Sequence, residues 1–574
     1  MSTRFVTPRK RSLIAAAVIA MIASTAMAQQ AKDPYLAYDG RPQFLGADDG
    51  LPRAQSSLAA PAGSFSGWSS QANGPAAVNL GFKGVSQYDQ RNVGLNFIPP
   101  DTMGAVGATQ FMETTLSVYA VYSKATGAVQ SMVSAPTFWA NAGVTGVGLT
   151  GDARLLYDKP SERWIAMTQS GKSFGDIQIA VSTTSDAMGA WRSTKFTGFA
   201  GGAFGGTADF PTLAIDAKGV YIGTNNFNCA NAECSSSPFA GTSLNVISRA
   251  DLLGAGAPST ASLKQFNTTL ASGVDRGFVI QGVNSTGPDA GRVIAASLNV
   301  NDSIRYNVNN AGTAGATLGL VTQLGLTNYK DNGQARQPDG TRNIDTSDQR
   351  IGASAWEQNG KIYAVYTATA FGSDRTEVRW VVTNAATNAV IQEGFIGDAT
   401  HDFYQGSLTV NASGQVVIGY NRSGFSAADG NVSFLARSFN SDAAGKLVQT
   451  NELLLHVSPI SDYHNGSGSF QGQAAVGRQR WGDFSAVTLD PNDDQSFWAI
   501  GQYAELWNNA AGCGAVVPAI PGCTLTGGSS WGTWISEIRL DAVGAVPEPE
   551  TYALMFGGLL AMAAVVRRKK AAQG

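Results

Sequence analysis

Residues 209–224 read DFPTLAIDAKGVYIGT. An apolar run at 213–215 enters a turn made by Asp216, Ala217, Lys218 and Gly219, and a second run rich in β-branched and aromatic residues follows. Strands favour such runs, and tight turns favour Asp, Asn and Gly. The stretch therefore specifies a hairpin that opens on an aspartate. The same plan recurs on both sides. Upstream stand DTMGAVGATQFMETT from Asp101 and DARLLYDKPSERWIAMT from Asp152. Downstream stand DRGFVIQGVNSTGPDAGRVIAAS from Asp275, DQRIGASAWEQNGKIYAVYT from Asp348, DFYQGSLTVNASGQVVIGY from Asp402 and DFSAVTLDPNDDQSFWAI from Asp483. Further strands follow most copies, as at 177–182, 378–383 and 433–439. The starts lie 51 to 81 residues apart. A four-stranded blade needs roughly 40–50 residues, which leaves room for loop insertions. Seven copies predict an all-β fold, a single seven-bladed β-propeller over 96–541. A β-sandwich would alternate similarly without repeating a motif. Parallel-sheet folds need amphipathic helices between strands, and none is written here.

The chain has 574 residues with 67 Gly, 43% hydrophobic and 14% charged residues. A disordered chain would need more charge and fewer apolar residues. Residues 29–95, rich in Ala, Gly, Ser, Gln and Asn, show no period and read as a lead-in. Outside the two ends the body carries 31 basic and 40 acidic residues. An acidic body repels phosphate backbones, so no nucleic-acid partner is expected.

If each repeat starts an innermost strand, Asp101, Asp152, Asp209, Asp275, Asp348, Asp402 and Asp483 form a ring at one mouth of the central channel. Such a ring could bind a cation or a basic group. The plainer reading is that each aspartate accepts main-chain N–H groups of a neighbouring blade. Arg154, Arg276, Arg350 and Arg480 lie near enough in sequence to neutralise several. Asp490, Asn492 and Asp494 offer oxygens at alternating positions, as calcium loops do. Gln495 and Gly501 stand where an EF-hand needs Gly and Glu, so a polar hairpin turn is the plainer reading and no cofactor other than a structural calcium is expected. Cys229 and Cys234 form one close pair and Cys513 and Cys523 another. With three histidines in the chain and none beside a cysteine, disulfides are expected rather than zinc.

The ends carry addresses. Arg9, Lys10 and Arg11 precede an apolar run at 13–23, and Ala26 and Ala28 provide an A-x-A cleavage site. This is the signal-peptide pattern over 1–28, so the mature chain should begin near Gln29. At the other end Pro547, Glu548 and Pro549 precede an uncharged stretch at 552–566, followed by Arg567, Arg568, Lys569 and Lys570. Fifteen residues at 1.5 Å span about 22 Å, short of the ~30 Å hydrocarbon core, a gap that snorkelling basic side chains narrow. The basic cluster keeps that end cytoplasmic and the body outside.

Val-Pro-Glu-Pro, a short apolar helix and a basic tail, in that order over 546–574, resemble the PEP-CTERM sorting signal of Gram-negative bacteria that make exopolysaccharide. The resemblance implies recognition by an exosortase that cuts near Pro-Glu-Pro, after transient anchoring by the C-terminal helix. The body resembles a family of secreted bacterial propellers of unassigned activity. The matching stretches are PPDTMGAVG at 99–107, GDARLLYDKPSERWIAM at 151–167, DFPTLAID at 209–216, RWGDFSAVTLDPNDDQSFW at 480–498 and WGTWISEI at 531–538.

No Gly-x-Ser-x-Gly, His-Glu-x-x-His, P-loop or sialidase Asp box occurs. The tryptophans read as packing residues. The expected function is a non-enzymatic surface or matrix protein that binds exopolysaccharide or another surface protein. The alternative is a polysaccharide hydrolase or lyase on a sialidase-like propeller, with acidic residues at the channel mouth.

Overall fold

Runs without charge, such as GVYIGTNNFN and FAGTSLNVIS, form the strands Gly219–Asn228 and Phe239–Ser248, buried on both faces. Runs where charge alternates with apolar residues, WRSTKFT and KQFNT, form Trp191–Thr197 and Lys264–Thr268, which are partly exposed. The first kind lies inside its sheet and the second at the outer edge, where water reaches one face. The computed structural model describes residues 76–540, apart from 464–476, 509–527 and some shorter stretches, Asp348 among them.

The architecture is all-β, with a propeller-like succession of antiparallel sheets. The first sheet holds Met103–Val106, Gln110–Thr114, Val118–Ser123 and Val129–Ser134 in chain order. The second runs from Ala153–Asp158 to Trp191–Thr197, and the third from Gly206–Asp209 to Lys264–Thr268. The fourth runs from Phe278–Ser285 to Ser303–Asn309 with two-residue strands at its edge. The fifth runs from Ala355–Gln358 to Val390–Ile396 and is continuous with the fourth, because Val283, Asn284 and Ser285 pair in parallel with Ala355, Trp356 and Glu357. The sixth runs from His401–Val410 to Leu447–Val457. The last holds Ala486–Leu489, Ser496–Asn508 and Gly528–Arg539.

Each sheet packs face to face on the next. Ile165 and Ile179 of the second meet Val220 and Ile222 of the third. Tyr221 and Val246 of the third meet Ile280 and Val293 of the fourth. Val283 and Ile294 then meet Ile362 and Tyr366 of the fifth, and Val365 and Trp380 meet Leu408 and Ile418 of the sixth. Val417 and Phe434 meet Val487 and Phe497 of the last. The last packs back on the first, with Trp498 and Phe111 ring centroids 5.6 Å apart. Sheets twist, and a face-to-face series of twisted sheets bends into a ring with the first strands innermost.

The outermost strand of the last sheet comes from the other end of the domain. Ala77–Ser86 pairs antiparallel with Gly528–Arg539. The strand Ala77–Ser86 lies inside the stretch 29–95 that composition set apart as a lead-in. The pairing covers an edge that would otherwise be an open template for another chain.

Two insertions meet over one end of the inner strands. Arg342–Ile344, between the fourth and fifth sheets, pairs in parallel with Gly477–Gln479, between the sixth and last. The Gln337 side chain donates to Tyr463 O at 2.8 Å and accepts from Tyr463 N at 2.5 Å. Ala335, Ile344, Tyr463 and Trp481 are buried in the central apolar cluster. These segments form a cap over the end where the repeats begin.

Candidate functional site

The aspartates do not form an open mouth. Asp101, Asp152, Asp209, Asp402 and Asp483 are buried, and Asp275 is half-buried. Asp348 lies outside the described residues. Nor do they share one level. Asp209, Phe278 and Tyr404 occupy the same place in their ladders, facing Asn225, Ala296 and Asn421, and the ladder then shifts. The next residues, Phe210, Val279 and Gln405, have φ of 48°, 47° and 57°. Asp101, at 47°, matches Phe210 rather than Asp209. The recurring device is a β-bulge with a left-handed residue at the start of the inner strand. The aspartates fall at differing distances from it.

Their partners are mostly main-chain groups. Asp483 N–H donates to Asp101 Oδ1 at 2.8 Å, joining the last sheet to the first. Asp402 accepts from Arg336 N in the cap and from Thr376 N in the fifth sheet, both at 3.0 Å. Arg336 and Arg375 lie 3.8 and 3.9 Å away. Burial pushes the Asp402 carboxyl above its ordinary value, opposed by those amides and guanidinium groups. Gln169 Nε2 donates to Asp209 at 3.4 Å. Asp275 stays within its own sheet, accepting from Gly277 N, Leu298 N and Ser297 Oγ. Asparagine at 402 can accept only one of the two amides without turning its NH2 toward the other. Asp402→Asn is therefore expected to cost about 1–3 kcal/mol in equilibrium denaturation. An unchanged midpoint would count against a tie between cap and sheet.

Arg154 fills the axis. It is buried, its Nε donates to Pro211 O at 2.6 Å and its Nη1 to Gly352 O at 2.8 Å. Its Cζ sits 3.7 Å from the Phe484 ring centroid and 5.4 Å from that of Phe210. Met103 Sδ lies 3.6 Å from Nη1. One guanidinium from the second sheet thus touches residues from four other parts of the ring. Beside it Arg350, Gly352, Tyr366, Gln405 and Asp483 line a recess with room for little more than one water molecule, far too small for a substrate.

Among the described residues, no group of three or more His, Cys, Asp or Glu could hold a metal ion. The loop considered for calcium sends its side chains to different neighbours. Asp490 meets Lys124 Nζ at 2.9 Å and Trp498 Nε1 at 3.3 Å. Asn492 donates to Ala108 O, Asp493 pairs with Arg539 at 2.7 Å, and Asp494 accepts from Ala412 N. Asp490 and Asn492 thus tie the last sheet to the first, Asp494 ties it to the sixth, and Asp493 pairs within the last sheet. Cys229 and Cys234 are joined in a disulfide, whereas Cys513 and Cys523 lie outside the described residues.

Trp139, Trp164, Trp191, Trp380, Trp481, Trp498 and Trp531 are buried, and Trp356 and Trp534 are partly so. The side chain of Trp507 lies outside the described ones. Two further groups were not singled out in the sequence. Glu113, inside the first repeat, is wholly buried. Burial pushes the Glu377 carboxyl up to about 7. Nearby Asp398 is held down to about 2, because amide and side-chain donors of Thr400 and His401 outweigh its own burial.

Residues 545–569 match the PEP-CTERM protein-sorting motif. The match supports the sorting signal read at the C-terminus, and implies export with recognition and processing by an exosortase. The signal peptide and that tail lie outside the described residues. Among the described residues no helix is long and apolar enough to cross a membrane. No curated protein matches the chain. Solved structures similar to it include an apocarotenoid oxygenase mutant from Synechocystis, at 9% identity and TM-score 0.36, covering 62% of this chain and 71% of that one. The Dos1 propeller has 8% identity and TM-score 0.34, covering 74% and 75%. Extracellular domains 1–2 of Drosophila Semaphorin 1b have 9% identity and TM-score 0.33, covering 80% and 87%. The architecture rests on the strand pairing and not on these likenesses.

Proposed function

We propose that this chain is an exosortase-sorted surface or matrix protein whose body closes as a seven-bladed β-propeller and acts by binding. The observation that carries this reading is the state of the aspartates. A hydrolase would need them at an open mouth, yet those described are buried or half-buried, and Asp402 is hydrogen-bonded to the cap itself. A protein partner is favoured over a glycan. Sugar platforms are usually exposed aromatic rings, and no tryptophan among the described side chains is exposed. Phe204 and Phe425 are exposed at about half their surface.

One observation favours the hydrolase alternative. Glu377, raised to about 7, lies near a carboxylate lowered to about 2, as acid and base pairs often do. Incubating the purified mature chain with the host's exopolysaccharide, and following binding and chain length, separates the readings. No shortening is expected. Shortening that disappears in Glu377→Gln would overturn the binding reading. Deleting 546–574 is expected to remove the protein from the cell-surface fraction, and an unchanged distribution would end the sorting claim.

A further inference from the structure

Three segments meet at the imidazole of His401, the residue that opens the sixth sheet. Its side chain is 6% exposed. Nδ1 lies 2.9 Å from Asp398 Oδ2, in the link from the fifth sheet. Nε2 lies 3.3 Å from Asp429 Oδ2, in the turn between the strands Val416–Gly424 and Ser433–Ser441. Residues 425–429 of that turn are exposed. The turn carries Phe425, whose ring centroid lies 5.6 Å from the Arg336 guanidinium in the cap. His401 therefore holds one end of the turn while the cap touches the other.

Both acids meet the ring as acceptors. Asp398, held down to about 2, takes three further hydrogen bonds, from Thr400 N, Thr400 Oγ1 and His401 N. The Ser426 side chain, then His401 and Arg422, hold the Asp429 carboxyl below its ordinary value. A ring with N–H on both nitrogens serves both acids, whereas a neutral ring has one N–H and one lone pair. Facing a carboxylate, that lone pair is repelled. The repulsion is stronger at 2.9 Å than at 3.3 Å, so the neutral ring keeps its N–H toward Asp398 and turns its lone pair to Asp429.

The arginines around the ring keep their charge. Arg375 Nε donates to Ala399 O, Arg336 pairs with Asp374 and Asp402, and Arg422 lies 3.7 Å from Glu452. Burial raises the Asp402 carboxyl, and on the fifth sheet it raises that of Glu377, near Asp398, to about 7. His456, stacked on Trp534 at 4.0 Å, is held by burial down to about 4 and stays neutral near pH 7.

We propose that His401 is a pH-sensitive latch: as imidazolium it pins the turn 425–430 to the start of the sixth sheet, and on losing its proton it releases that turn and Phe425. Histidine changes charge between about pH 5 and 8, so the turn is held at the acid end of that range and freed at the other. The latch favours the protonated ring, so its contribution is present while the ring is charged and is lost as pH rises. The device stands whether or not the binding reading does.

The test follows a pH-insensitive dye on the full chain at Ala427→Cys, an exposed position in the turn. The parent chain treated alike sets the background. Fast dye rotation, read by fluorescence anisotropy decay, is expected to gain several-fold in amplitude from about pH 5 to 8. Adding His401→Gln should flatten the profile, because an amide does not titrate. Adding Asp429→Asn should flatten it with the turn held throughout, since the NH2 can donate to a neutral ring and the carbonyl can accept from a charged one. Position 429 is exposed, so this variant reads the latch even where His401→Gln fails to fold. Glu377→Gln should keep the rise, which separates the latch from the other group that titrates near pH 7. A flat profile in the dye-labelled parent sequence, a rise that survives His401→Gln or Asp429→Asn, or a rise that disappears in Glu377→Gln overturns the latch.

Discussion

Arg154→Ala is expected to lower the stability of the propeller by about 3–5 kcal/mol, the range for removing one member of a buried polar contact and leaving a cavity. The guanidinium donates to two main-chain carbonyls from different parts of the ring and lies against Phe484. Alanine leaves Pro211 O and Gly352 O without these donors and empties the axis between Phe210 and Phe484. Arg154→Lys should lose less, because it keeps a charge and a stem, but an ammonium cannot reproduce a planar fork stacked on a ring. Arg154→Met keeps the volume and removes the donors, so it measures the two hydrogen bonds apart from the packing. Chemical denaturation followed by tryptophan fluorescence reads all three. A parent-like midpoint for the alanine variant would show that the axis is held by something else.

The hairpins were legible because their cause is local. Alternation of apolar residues around Asp216-Ala217-Lys218-Gly219 dictates a strand, a turn and a strand, and such hairpins repeat at blade-like intervals. The aspartates were legible as markers of the repeat, but not the level each occupies, because that repeat lies in backbone geometry and not in residue type. The bulge residue is Asp101 in one sheet, Phe210, Val279 and Gln405 in others. Different side chains hold it in place. Asn225 accepts from Val279 N at 2.9 Å, while Thr367 accepts from Gln405 N at 3.1 Å. A scan for identical residues selects the aspartates and misses the level they occupy. The cap was illegible for another reason. Its two strands are separated by the fifth and sixth sheets in sequence, and three-residue pairings such as Arg342–Ile344 with Gly477–Gln479 leave no periodic signal. Arg154 and Glu113 were both inside quoted repeats, yet their roles depend on neighbours contributed by other sheets.

Glu113 marks where the ring is fastened, and its removal should be as costly as that of Arg154. Its Oε2 accepts from Val85 N–H and Tyr122 O–H, each at 2.9 Å. Its Oε1 accepts from Thr533 Oγ1 at 2.6 Å and Thr102 Oγ1 at 3.3 Å. One carboxylate therefore joins the borrowed strand Ala77–Ser86, the first sheet and the final strand Gly528–Arg539. Glu113→Ala leaves four buried donors without their acceptor and should cost about 3–5 kcal/mol. Cleavage within 77–86 by a protease should also become faster. Gly84→Ala tests the same joint without touching the charge, since an added Cβ would lie 2.5 Å from Glu113 Oε2 and nearer still to Thr533 Oγ1. Glu113→Gln should be tolerated: its carbonyl can serve Val85 and Tyr122, while its NH2 donates to the two threonine hydroxyls, which can turn to accept. The glutamine also isolates the effect of pH. Burial raises the Glu113 carboxyl above its ordinary 4.5, against the pull of its four donors. A carboxyl raised in the folded state favours folding in its protonated form. That contribution is full below about 4.5 and is lost as pH rises through the folded value. Glutamine has no such slope, so the midpoint of Glu113→Gln relative to the parent should climb as pH rises from about 4 to 8. A difference that stays constant over that range would mean that the clasp carries the same charge in the folded and unfolded chain.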